Sequence, residues 1–186
     1  PDYTRQGRGD MATHKLFTER TWRLLKADGR LGYVVPSGIY TDLGTKDLRQ
    51  MLMFDEGSLD YLYSFSNERY FFNGVHHAFK FCLLAAHKGG RETSFRAVFR
   101  INPRVAVEPA ALPEFLSSES NLIEVQSETI KLLNPNSLAV MEFANPAAYT
   151  ISEKLFRQYP LLGESIERTW SVSLSQEIHS TNDRDI

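Results

Sequence analysis

The sequence is short of the features that mark several functional classes. Of its 186 residues one is cysteine, Cys82. That excludes a disulfide framework and a multi-cysteine zinc site, and it fits a reducing cytoplasm. No apolar run approaches the ~18–20 residues that a membrane helix needs, so no membrane role is expected. Nor is there an excess of charge: Lys and Arg number 21 against 23 Asp and Glu, a net of −2. A chain given wholly to gripping nucleic acid is usually basic, so any such role here is local or shared with other segments. The start, Pro1-Asp2-Tyr3-Thr4-Arg5, carries neither an initiating Met nor an apolar signal core, which reads as a piece of a longer protein.

What is present is a globular composition, 42% hydrophobic and 24% charged, enough for a real core. Residues 1–9 read as loop. From Asp10, a candidate N-cap, the pattern turns helical, with Phe17, Thr21, Leu24 and Leu25 on the expected inner face and Asp28-Gly29 as the stop. Arg30 to Pro36 is a short apolar run that reads as a buried parallel strand. Thr45–Met53 reads as helix. Leu59–Phe65 and Phe79–His87 read as strands, and Phe95–Ile101 as a strand paired with the latter in a hairpin.

Prolines gather near residue 102, where the sequence predicts a boundary between residues 1–101 and 102–186. Beyond it, Leu112–Leu116 reads as a helical turn and Leu122–Val125 and Ile130–Leu133 as short strands. Asn145-Pro146 opens a helix to about Tyr159. The alternation of helix and strand argues for an α/β fold.

Several motif-like strings carry no chemistry. Gly7-Arg8-Gly9-Asp10-Met11-Ala12 has dinucleotide-loop spacing, but no apolar strand leads into it. Ser37 lacks the glycine spacing of a nucleophile elbow. His76 and His77 are adjacent, so in a strand they would point to opposite faces and could not chelate together. No acidic residue lies two before any lysine, which removes a common nuclease signature. No complete catalytic constellation stands in the chain. The outstanding feature is an aromatic loop, Asn67 to His77, with Tyr70, Phe71 and Phe72 just before Gly74. Such rings either pack beneath the loop or form a stacking surface for a planar ligand, worth ~1–3 kcal/mol per base.

The run Phe17-Thr18-Glu19-Arg20-x-Trp22-Arg23-Leu24-Leu25-Lys26-x-Asp28-Gly29-Arg30-Leu31-Gly32-Tyr33-Val34-Val35-Pro36-Ser37-Gly38 resembles a part of N6-adenine DNA methyltransferases. In those enzymes it follows the Asn-Pro-Pro-Tyr/Phe catalytic motif. The resemblance is above all to the large Eco57I-like enzymes, that is, type IIG restriction-modification proteins and related phage-defence methylases. Tyr40-Thr41-Asp42-x-Gly44-Thr45-x-x-Leu48-Arg49 is similar to the family's next helix. Phe65-x-Asn67 and Phe72-x-x-Val75-His76-x-x-Phe79-Lys80-Phe81 are similar to its sixth and seventh strands and the loop between. Glu177-Ile178-His179-x-Thr181-Asn182-Asp183 is similar to a segment leading into target recognition. Two family motifs are missing: the glycine-rich cofactor strand and Asn-Pro-Pro-Tyr/Phe.

The resemblance implies the C-terminal half of a Rossmann-like class I methyltransferase sheet, residues 1–101, with an α+β connector, residues 102–186, leading toward a target-recognition domain. It implies S-adenosylmethionine as the cofactor and double-stranded DNA as the partner of the full-length protein. The chain alone is expected to be inactive, with an open sheet edge that favours self-association. Chemistry on adenine N6 takes the base out of the duplex, and an aromatic ring then replaces the lost stacking. The family supplies that ring from the loop between its sixth and seventh strands, which implies Phe72, with Phe71 second. Pro36 and Ser37 are implied as pocket-lining, and His76, Asn182 and Asp183 as DNA-facing candidates. The competing expectations are a non-catalytic DNA-recognition or assembly module of methyltransferase-like fold, and methylation of RNA or protein instead of DNA.

Overall fold

A computed structural model describes residues 3–7, 11–68, 71–102 and 108–161. The chain opens with a strap, residues 3–7, that lies against helix α1 (Thr13–Leu24). Strand β1 (Arg30–Pro36) follows, then a single turn α2 (Gly38–Thr41), and then α3 (Lys46–Gln50), which continues into a wider π-type turn over Met51–Asp55. Strands β2 (Gly57–Ser66), β3 (Lys80–Lys88) and β4 (Ser94–Ile101) come next. Beyond the residue-102 region lie α4 (Leu112–Ser117), β5 (Ile123–Gln126), α5 (Ser127–Leu133) and α6 (Pro146–Gln158).

The five strands form one mixed sheet in the order β1-β3-β2-β4-β5, which makes the fold α/β as expected. β3 lies antiparallel between β1 and β2, pairing Val35 with Cys82 on one side and Ser64 with Cys82 on the other. This arrangement corrects two sequence expectations. β1 is not in a parallel pair: its sole described partner is antiparallel β3, and among the described residues no strand meets its other edge. β3 and β4 do not form a hairpin, because both edges of β3 are already occupied. β4 instead runs parallel to β2 on that strand's far side.

Helix α1 turns a different face inward from the one its apolar spacing suggests. Phe17 and Leu24 are 65% and 67% exposed, whereas Thr18, Glu19 and Trp22 are buried. A buried carboxylate is tolerated only when its lone pairs are filled. Glu19 accepts from the Thr4 N–H (2.7 Å), the Arg5 N–H (3.1 Å), Gln6 Nε2 (2.6 Å) and Arg23 Nη2 (2.5 Å). The strap thus draws the polar face of α1 inward. Asp10, the expected N-cap, lies outside the described residues; Ala12 occupies that position with no side-chain cap bond.

Ile130–Leu133, expected as strand, is the second half of α5: Thr129, Ile130 and Leu133 are buried at helical spacing. Helix α6 begins as expected, with Asn145 Oδ1 accepting from the Ala148 N–H (2.8 Å) and Pro146 in the first turn.

The main core lies on one sheet face and runs from Trp22, Leu48 and Leu62 to Ile130, Val140 and Tyr149, so packing continues across the residue-102 region. A smaller cluster of Phe65, Val98 and Ile101 lies apart from it, packed against Phe71 and Phe81 and against Leu112 and Phe115 of α4.

Candidate base-stacking site

The site is built on the excursion between β2 and β3. The ladder ends at the pair Ser66–Lys80, and the neck is closed by the Asn67 N–H donating to the Phe79 carbonyl (3.1 Å). At the base, Phe65 and Phe81 face each other across the ladder with rings stacked 5.2 Å apart and 7° from parallel. Phe71 sets its edge against both, at 5.4 Å, and so is spent on the smaller core. Phe72 rests edge-on against Phe81 (5.0 Å, 80°) and remains 43% exposed. The two rings that sequence left as first and second choice are therefore placed differently: one is packed away and one is presented.

Beside Phe72 opens a hollow of about 220 Å³, walled by Val34, Pro36, Phe72, Val75, Phe79 and Phe81 among others. It is smaller than the ~300–1,000 Å³ that encloses a drug-sized ligand, and suits a single planar ring system. Among the described residues the polar side chains on its wall are Asn67 and Lys80, and both are occupied. Asn67 is bonded within the loop, and Lys80 Nζ donates to Glu142 Oε1 and Oε2 (3.0 and 2.9 Å).

Of the sequence-derived candidates, the structure brings Phe72 and Pro36 to the same hollow. Ser37 stands one residue past β1 and is not on its wall. Its N–H donates to the Lys80 carbonyl (3.1 Å) and its own carbonyl accepts from the Tyr40 N–H (3.0 Å). His76 is exposed on the loop and does not line the hollow, although its ring stands edge-on to that of Phe79, 6.3 Å away. Its ring lies 4.2 Å from that of His77, so the two do not point to opposite faces: they sit in a turn, not a strand. Asn182 and Asp183 lie outside the described residues. The structure adds to the wall Val34 and Val35 beside Pro36 at the end of β1, and Phe79 with Lys80 and Phe81 where the chain enters β3.

A polar cluster that sequence did not reveal stands behind the loop. Glu142, from the irregular segment before α6, accepts from Lys80, from Arg100 Nε (2.8 Å) and from the Tyr40 hydroxyl (2.8 Å), which also bonds Ser64 (2.7 Å). Arg100 reaches it from a β-bulge: Val98 pairs with Tyr63 but Ile101 with Phe65, and Arg100 takes a φ of 58°. Burial works against the Glu142 charge, but the bonds from Arg100, Lys80 and Tyr40 outweigh it and hold the carboxyl below the usual carboxylate range. Burial, with the Glu142 charge, pushes the Tyr40 phenol up.

Arg49 is buried and, among the described residues, forms no ion pair with a carboxylate. It donates to the carbonyls of Ile39 (2.9 Å), Asp42 (2.7 Å) and Ser137 (2.8 Å), and burial lowers its pKa to about 10. Cys82 is wholly buried, and burial pushes its thiol up to about 12, as befits an inert core residue.

A larger depression, about 700 Å³, lies elsewhere on the sheet, over Arg30, Asp60, Arg96 and Glu124. Arg30 stands 3.5 Å from Asp60 there, and the Ser94 hydroxyl donates to Glu124 (2.7 Å). Despite its size it reads as a solvated sheet face. Among the described residues no three His, Cys, Asp or Glu side chains group to hold a metal, and no helix is long and apolar enough to cross a membrane.

The Eco57I restriction-modification methylase family model matches residues 2–72, which ends at Phe72. The resemblance read from the sequence stands on that match. Three solved structures share the fold. The type IIG restriction endonuclease BpuSI is 18% identical, with a TM-score of 0.54 over 73% of this chain and 16% of that one. A modification subunit of a putative type I restriction enzyme from Vibrio vulnificus YJ016 is 17% identical, with a TM-score of 0.52 over 76% of this chain and 34% of that one. A chain from a type I R-M system, from work on complex assembly and conformational transition, is 15% identical, with a TM-score of 0.54 over 85% and 40%. This chain therefore spans well under half the length of each. No curated protein matches it.

Proposed function

We propose that the chain is part of an S-adenosylmethionine-dependent adenine-N6 DNA methyltransferase of a restriction-modification or phage-defence system. Residues 1–101 form the second half of its catalytic domain, and residues 102–186 lead toward target recognition. The observation that carries this reading is Phe72: a half-exposed ring on the β2–β3 loop, beside an apolar hollow at the carboxyl end of β1. In open α/β sheets ligands bind beyond the carboxyl ends of the strands.

The residues present do not fit the cofactor itself. The hollow is apolar, too small for a nucleoside joined to an amino acid, and its Asn67 and Lys80 groups are already bonded. On this reading the cofactor and the Asn-Pro-Pro-Tyr/Phe motif belong to a preceding segment, and this chain supplies the surface on which the extruded adenine stacks. Alone it transfers no methyl group.

The test is labelled-methyl transfer from S-adenosylmethionine to DNA by the full-length protein and its Phe72→Ala variant. A stacking loss of ~1–3 kcal/mol corresponds to about a 5- to 150-fold fall in transfer. DNA binding survives, because affinity rests on phosphate contacts elsewhere. If binding falls and the unaltered protein shows no transfer, the chain is a DNA-recognition module. If labelled methyl appears on RNA or protein instead, the substrate class is wrong.

A further inference from the structure

We infer that Asn67 is the positioning residue that fixes Phe72 as a stacking platform. The inference rests on the methyltransferase reading and deepens it, because an exposed ring on a long loop does nothing unless it is held in place. An unrestrained loop pays the ordering entropy each time a ligand arrives. Asn67 removes much of that cost in advance.

The geometry is complete. Asn67 is 1% exposed. Its Oδ1 accepts from the Phe72 N–H (3.0 Å), and its Nδ2 donates to the carbonyls of Phe72 (3.0 Å) and Val75 (2.8 Å). Both backbone groups of Phe72 are therefore held by one side chain. The Val75 N–H adds a turn bond to the Phe72 carbonyl (3.2 Å), and the Asn67 N–H ties the neck to Phe79. The amide can face only one way, since turning it over would set its oxygen against two carbonyls.

The residue type follows from this pattern. A group that accepts one bond and donates two is a neutral amide. Aspartate offers no donor and would face two carbonyls with negative charge. Glutamine carries one methylene too many for a side chain so enclosed. With its backbone fixed and its ring edge on Phe81, Phe72 has its Cα–Cβ direction set before any base arrives. This is the preorganisation a stacking group needs, and small misplacements of such groups cost up to about 100-fold in rate.

The experiment is a double-mutant cycle in the full-length protein: Phe72→Ala, Asn67→Asp and the pair. Each is read by labelled-methyl transfer, by DNA affinity, and by fluorescence of 2-aminopurine placed at the target base. We expect Asn67→Asp to lower transfer and base-extrusion fluorescence about 10-fold or more with DNA affinity kept. The pair should lose no more than Phe72→Ala alone, because Asn67 acts through that ring.

Effects that add overturn the inference and leave the methyltransferase reading intact, since a merely structural residue would cost the same with or without Phe72. If Phe72→Ala leaves transfer unchanged in an active enzyme, the stacking role falls, and the role of Asn67 falls with it. Should Asn67→Asp fail to fold, Asn67→Ser takes its place in the cycle. Amide exchange in the unaltered protein is an independent arm: the Phe72 N–H must be protected, and free exchange there overturns the latch.

Discussion

Glu19 is a buried carboxylate and Glu142 a mostly buried one, and a hydropathy pattern assigns both to the surface. Sequence could not place them, because most of their partners are distant: 13 to 15 residues upstream for the strap that meets Glu19, and 42 to 102 residues upstream for Glu142. Burial opposes both charges, and in both the hydrogen bonds win, so each folded pKa lies below the ordinary Glu value of 4.5. The sign follows from linkage. A depressed carboxylate contributes stability above its unfolded pKa and loses it as pH falls through the folded one. The urea midpoint should therefore hold down to about pH 5 and drop below about pH 4.5. Glu19→Gln or Glu142→Gln should make that drop shallower while lowering the midpoint near neutrality. A midpoint that stays flat down to about pH 3 would contradict the assigned bonds. Phe72, by contrast, was legible: three aromatics in a polar loop needed no partner to draw attention. The family resemblance ranks it before Phe71, and the structure adds a packing difference between the two rings, the edge-to-face contacts of Phe71 with Phe65 and Phe81, which no local pattern encodes.

At the scale of elements, types were read better than faces and pairings. β1 to β5 and α6 all lie close to where hydrophobic runs and Pro/Gly stops put them. The β3–β4 hairpin failed because strand order is a property of the whole sheet: β3 spends both edges on β1 and β2, whatever the length of the turn that follows it. Helix α1 failed through its buried polar face. That face can be tested by paired truncation. Trp22 is wholly buried with its Nε1 donating to Glu56 (3.0 Å), and its ring lies against Gly57, where even a Cβ would stand 2.7 Å from it. Trp22→Ala should cost about 3–5 kcal/mol in urea unfolding, as for other large core truncations. Phe17→Ala, on the exposed face, should change stability by no more than ~0.5 kcal/mol. Equal costs would restore the apolar face that the spacing suggests. Ile130–Leu133 belongs to the same class of misreading: four residues are too few to separate a period of 2 from one of 3.6.

Across the whole molecule, the segment before α6 is fastened to the site end of the sheet rather than trailing from it. Ser137 is held by Arg49, the Val140 N–H donates to the Tyr40 carbonyl (2.9 Å), and Glu142 joins Tyr40, Lys80 and Arg100. Among the described residues the β1 flank of the sheet is uncovered. β1 pairs only with β3 among the described strands, and exposed Val34, Phe17 and Leu24 lie on β1 and the helix before it. A strand edge with unpaired backbone groups is a template for another strand, and apolar side chains nearby strengthen the pull. In a complete methyltransferase domain, on the reading proposed above, the preceding strands of the sheet would meet that edge. The 186-residue chain alone should therefore self-associate, with a sedimentation coefficient that rises with concentration. Gly32 is the place to test this, because it lies on β1, is exposed, and has nothing within 4 Å of where a Cβ would stand. Gly32→Lys puts a charge on the edge without a clash in the fold, and lysine is the residue natural edge strands use against pairing. The variant should sediment as a monomer at concentrations where the unaltered chain does not. If the unaltered chain is monomeric throughout, the edge is not the adhesive surface. If both associate alike, the contact lies elsewhere, and the exposed Ile151, Leu155 and Tyr159 along α6 become the next surface to charge.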